Sequence, residues 1–209
     1  MDVSSPVGPS RSDVACGELD AVDLLASRKL TTRHGEWTEY CFRYSNEDVI
    51  AISHGDLEAP GEIPTRVHST CFAAHYLESV ECDCREQLEA AFALMAREGR
   101  GIVVILDQDG RGNGHAALMR AAYTALGYPA DPRSFDAAAL VLRFLRVKSA
   151  HLLTSNPRKI EALRDRGLAV RHSRLVVSDG TAAGQAYYRH KSLEGYLVRD
   201  DESYRADGA

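Results

Sequence analysis

PTRVHSTCFAAHYLESVECDCREQLEAAFALMAREGRGIVVIL, Pro64 to Leu106, reads as a strand, a helix and a second strand in succession. PTRVHSTC (64–71) opens on a turn-prone proline and carries β-branched residues. REQLEAAFALMAREG (85–99) sets Leu88, Ala91, Phe92 and Met95 on one helical face and ends on Gly99. RGIVVIL (100–106) is an unbroken apolar run, the pattern of a buried strand.

Upstream, residues 30–53 read as two strands around a turn at SNED (45–48), and HGDLEAPGEIP (54–64) as a further turn. Downstream, the alternation continues. HAALMRAAYTALG (115–127) and SFDAAALVLRFLRV (134–147) have helical spacing, SAHLLTS (149–155) is a short strand, and KIEALRDRG (159–167) a helix. LAVRHSRLVVS (168–178) is a last strand, and residues 182–198 are expected to be helical. A strand-rich first third followed by alternating strands and helices predicts a single mixed α/β (α+β) domain with a partly parallel sheet. Its expected span is 28–200, with a disordered tail over 1–27 and a polar tail over 201–209.

At 209 residues with 44% hydrophobic composition, the chain can bury one core without disulfide staples. It has no apolar run of about eighteen residues and no apolar leader after Met1, which predicts a cytoplasmic protein with no membrane partner. A net charge of -5 argues against a nucleic-acid partner while leaving room for local basic clusters around a phosphorylated small molecule.

The odd count of five cysteines excludes a tidy disulfide framework. Cys16 and Cys41 read as small hydrophobes. Cys82 and Cys84 flank Asp83 before a helix, and Cys71 lies eleven residues upstream at the end of a strand. A turn there would let the sulfurs share a metal at roughly 2.3 Å each. Three thiolates with an open position describe a catalytic zinc. With His75 or His68 as fourth ligand, the same spacing describes a closed structural site.

Two loops could receive an anion. DQDGRGNG (107–114) and TSNPRK (154–159) both join a strand to a helix, where backbone N–H groups and the basic residues Arg111 and Lys159 gather. Neither matches a P-loop or dinucleotide fingerprint.

Taken in order, RVHS (66–69), Cys71, Cys82-Asp83-Cys84, QLEAA, DGRG (109–112) and TSNPRK resemble the GTP cyclohydrolase II family of riboflavin biosynthesis, from about Leu30 to Val198. The resemblance implies one Zn2+ per chain on Cys71, Cys82 and Cys84, activating water to attack C8 of guanine and release formate. It implies a nucleotide pocket from Arg66, Val67, His68, Ser69, Thr70, Gln87, Asp109, Gly110, Arg111, Thr154 and Lys159, with Gln87 reading a base edge. It implies Asp131 as proton acceptor, Arg133 acting at the α-phosphorus, Tyr123 as a further catalytic group, Mg2+ on the phosphates, and a homodimer. Arginine is a poor nucleophile at its ordinary pKa, so chemistry alone makes Arg133 a phosphate clamp.

The chain also departs from the family pattern. Thr70 replaces a glutamate, Ala73-Ala74-His75 replaces threonine-glycine-aspartate, and Glu81 replaces an arginine. The family's helix tyrosine falls on Ala122, with Tyr123 one step on, which is about 100° around a helix. The family's T-V-E-A-N segment is missing before Pro129. The expected function is therefore hydrolytic imidazole opening of GTP or a related purine nucleotide. The alternatives are a different heterocycle, a reaction that stops at the formamide, or a zinc-containing nucleotide-binding subunit without catalysis.

Overall fold

Eight strands form a sheet in the order β1-β2-β3-β5-β4-β6-β7-β8. The computed structural model describes residues 21–116, 127, 129, 131–176, 192, 193, 195–197 and 203–205. β1 (Asp23–Thr32), β2 (Gly35–Tyr44) and β3 (Glu47–His54) make an antiparallel meander that pairs with β5 (Gly101–Leu106). From β5 onward the pairing is parallel, through β4 (Ile63–Ser69), β6 (Ser149–Leu153), β7 (Ala169–Val176) and the short β8 (Ser203–Arg205).

The meander corrects the two-strand expectation for residues 30–53. Thr32 pairs with Gly35, so Arg33 and His34 are a two-residue turn. That turn has no Asn-Gly or Asp-Gly to announce it; Gly35, at φ +98, supplies the left-handed backbone just after it. β1 also begins at Asp23, inside the stretch expected as a tail. The expected turn at 45–48 is where β2 and β3 meet, with Tyr44 opposite Glu47.

Helices cover both faces. α1 (Phe72–Tyr76) is one short turn after β4, and α2 (Cys84–Glu98) packs Ala91, Leu94 and Met95 with Trp37, Ile52 and Val103 on one face of the sheet. α3 (Asp136–Phe144) and α4 (Pro157–Asp165) pack on the other, where Ala137 to Leu142, Ile160 and Leu163 meet Phe42, Val67, Ile102 and Leu152. α3 is buried nearly throughout because its alanines allow close approach to the strands. Leu152→Ala at this fully buried position is expected to cost about 2–5 kcal/mol of unfolding free energy, read from the urea midpoint. The expected helix over 115–127 lies outside the described residues except for its first two residues and Gly127, as do most of 182–198.

The connections position the site. The β4-α2-β5 crossover runs one way along the sheet, and the later path to β6 runs back past β4, with helices on opposite faces. Such a reversal opens a crevice beyond the carboxyl ends of the strands at the switch, here β4 and β6.

Candidate active site

A cavity of about 420 Å³ fills that crevice, a volume in the range of small-molecule sites. β4 delivers alternate residues to different layers. Val67 sinks into the α3 and α4 core, while Arg66 and His68 turn toward α2 and line the cavity with Ser69 and Thr70. Cys71 follows β4 as the N-cap of α1, Cys82 sits in the loop before α2, and Cys84 opens α2.

The ligand atoms of Cys71, Cys82 and Cys84 all lie within 4.8 Å of one another, with Cys71 and Cys82 sulfurs 3.8 Å apart. Hydrogen bonds from Cys82 and then Cys84 pull the Cys71 thiol far below its ordinary pKa, and the same pairing pushes Cys82 up. The cluster therefore favours one thiolate and invites a cation. Three soft sulfur donors at this spacing fit zinc. Among the described residues, no histidine or carboxylate joins the group. His75 is engaged elsewhere: its Nδ1 accepts the Cys71 backbone N–H at 3.2 Å and its Nε2 lies 3.0 Å from His68 Nε2. The geometry thus supports the three-ligand reading over the closed site.

His68 is 2% exposed, and burial, then Arg66 and Lys159, press its pKa well below the usual value. The sign follows directly. An unfolded chain takes up a proton at this histidine below about pH 6.5 while the folded one resists, so stability is lost as pH falls through that value. The melting midpoint should decline below about pH 6.5 in the native protein, and His68→Gln should flatten that part of the curve.

Gln87 does not stand free to read a base. Its Oε1 accepts from Arg66 Nη2, and its Nε2 donates to Asp83 Oδ2 at 2.5 Å. Arg66 also donates to the Leu153 carbonyl at 2.7 Å. Arg66, Gln87 and Asp83, all buried, form a brace from β6 across α2 to the residue between the two cysteines. Thr70 is likewise occupied, donating to Asp107 at 2.9 Å and accepting the Gln108 N–H at 3.0 Å.

The loop after β5 turns sharply, with Gly110 and Arg111 both at left-handed φ values of +56 and +59. Gly112, at φ +84, stands where an added Cβ would come 3.2 Å from Arg133 Cγ. Asp109 lines the cavity while accepting from the Phe72 N–H at 3.2 Å and lying 3.0 Å from His115 Nδ1.

Cations gather at the β6 end. Lys159, 6% exposed, donates to the Val67 carbonyl at 2.8 Å and lies 5.2 Å from the centre of the Phe135 ring. Thr154 is buried there and accepts the Asn156 N–H at 3.1 Å. Arg133 forks onto Asp131 through Nε at 2.8 Å and Nη2 at 2.7 Å. Burial works against its charge, but the Asp131 hydrogen bond and Tyr196 outweigh it and raise its pKa, so Arg133 is a fixed cation. Burial would raise the Asp131 pKa, yet Arg133 and Arg158 hold it below the usual carboxylate value. Asp131 stands behind Arg133 and is not among the residues lining the cavity.

Around the cavity the structure brings together every site residue expected from the sequence except Val67, whose carbonyl accepts from Lys159, Asp131, which is bonded to Arg133 from behind, and Tyr123, which lies outside the described residues. Sequence reading missed Asp83, Gln108, Asn156 and Tyr196. Asn156 had a signal, the Asn-Pro of a helix N-cap, and its side chain indeed accepts the Arg158 N–H at 3.0 Å.

Comparison with known proteins gives concordant matches. Residues 24–174 match the sequence profile of GTP cyclohydrolase II. The chain is 38% identical over 164 residues to GTP cyclohydrolase-2 of Neisseria gonorrhoeae, covering 72% of this chain and 83% of that one. It is 36% identical over 202 residues to GTP cyclohydrolase-2 of Acinetobacter baumannii, covering 89% and 98%. The solved structure of RibBX, a two domain 3,4-dihydroxy-2-butanone 4-phosphate synthase from A. baumannii, overlaps 73% of this chain and 40% of its own at TM-score 0.46 and 22% identity, too loose a likeness to bear on the site.

Proposed function

Because the chain belongs to the GTP cyclohydrolase II family and is thus a hydrolase of ring C–N bonds, we propose that it opens the imidazole ring of GTP at C8 and releases formate in the cavity at β4 and β6. The observation that carries this reading is the placement of the three-thiol cluster and the cations Arg133 and Lys159 on the walls of one cavity. A zinc ion held by Cys71, Cys82 and Cys84 would acidify water toward neutrality and polarise the substrate.

The chain's own residues do the rest. Arg66, Gln87 and Asp83 hold the cysteine loop against the sheet. Arg133 stays protonated and clamps phosphate oxygens, which fits electrostatic help to pyrophosphate departure and not nucleophilic attack. Lys159 and Thr154, on the same wall, would receive the remaining phosphates, whose charge Mg2+ would help to neutralise. A homodimer is the expected assembly, to be checked by sedimentation.

A second reading is favoured by Gln87, whose amide is engaged at both ends. With that amide committed to Arg66 and Asp83, a heterocycle other than guanine is the substrate this reading favours. The test is turnover of GTP, GMP and guanosine by zinc-loaded protein, following guanine absorbance and assaying formate and pyrophosphate separately. GTP as the best substrate, with both products, supports the first reading. No GTP turnover alongside opening of another compound supports the second.

A further inference from the structure

The residue that completes the phosphate end of the cavity comes from the far end of the chain. Gly195, at φ +80, turns the backbone, and the Leu197 N–H donates to the Ser155 carbonyl at 2.8 Å, fastening this segment onto the loop before α4. Tyr196 is thereby placed on the cavity wall. Its phenol oxygen accepts from Arg133 Nη2 at 3.1 Å and from Asn156 Nδ2 at 3.4 Å.

The donor inventory of Arg133 gives that contact a consequence. A guanidinium has five N–H groups in a rigid fork. Nε and one Nη2 hydrogen go to Asp131, and the second Nη2 hydrogen goes to Tyr196. Among the described residues, Nη1 has only a long 3.5 Å contact with Ser69 Oγ, which a phosphate oxygen would readily displace.

We propose that Tyr196 is a positioning residue for Arg133: with Asp131 it holds the guanidinium on two edges, so that the Nη1 edge faces the phosphates of the substrate. The fork onto Asp131 sets the plane of the guanidinium, but Asp131 lies only two residues away on the same loop, so the pair can shift together. The phenol ties it to a different segment of the chain. The stacking partner supports the same geometry, since the Arg133 guanidinium carbon lies 5.6 Å from the centre of the Phe135 ring. The assignment rests on the nucleotide reading above.

The test is a double-mutant cycle read by binding of inorganic pyrophosphate with Mg2+ to zinc-loaded protein in a calorimeter. Tyr196→Phe keeps the ring and removes the acceptor. It should weaken pyrophosphate binding about tenfold in the native background and leave it unchanged when Arg133 is already glutamine. Guanosine binding should be the same in the native protein and in Tyr196→Phe. Equal losses in both backgrounds, or a matching loss for guanosine, would show a merely structural tyrosine and overturn the proposal. An unchanged pyrophosphate affinity would overturn it too. Turnover of GTP by the native protein judges the proposed function separately, because the binding cycle needs no turnover.

Discussion

Cys82→Ala is expected to remove one zinc per chain from the purified protein and to abolish ring opening, with the fold retained. Its sulfur is 3.8 Å from that of Cys71, and the three cysteines are the whole group of candidate ligands among the described residues. Two thiolates cannot replace three. Altering groups that merely support a metal ligand typically costs about 10–100-fold in affinity or activity, so loss of a ligand should exceed that range. Elemental analysis and formate release measure the two halves. Since Cys82 is only partly buried and contributes little to the core, circular dichroism should be near native. A variant that kept both zinc and formate release would sink the three-cysteine assignment.

The second large effect is expected from Arg133→Gln. This side chain is 10% exposed and is forked onto Asp131 at the cavity wall. Removing a preorganised group that meets developing charge costs about 10²–10³ in rate. The loss should appear in pyrophosphate release more than in loss of the guanine chromophore, because the proposed role of Arg133 is to clamp the phosphates. Arg133→Lys should not restore it, since an ammonium cannot fork onto Asp131 and also face the ligand. Pyrophosphate release by Arg133→Gln within about threefold of the native rate would exclude the clamp.

The Pro64–Leu106 stretch made the helix legible because α2 buries one face and so writes a period into the sequence, and made β5 legible because a strand buried on both faces is an unbroken apolar run. The cysteine cluster was legible for a related reason: a pair two residues apart beside a third at a strand end is rare by chance and has a specific chemical use. β1 was not. DLLASRKLTT is exposed along nearly its whole length, so no buried face imposed an alternation on it. The state of Gln87 was hidden as well, since it depends on Arg66 lying 21 residues away on another element. Tyr196 was hardest of all, being 63 residues from Arg133, with no motif to link them. Spacing reveals neighbours within one element, whereas partners across elements emerge only from the sheet order.

No described residue before Arg66 lines the cavity, so the meander of β1, β2 and β3 supports the sheet without touching the chemistry. The exposed edge strand β1 is therefore a place to attach something: a linker, a surface anchor or a reporter. A chain tethered there should keep its turnover number on a solid support, because the load would be borne by the outer strands, whereas the turn at Arg33 and His34 would pass it to α2 through Glu89 and Phe92.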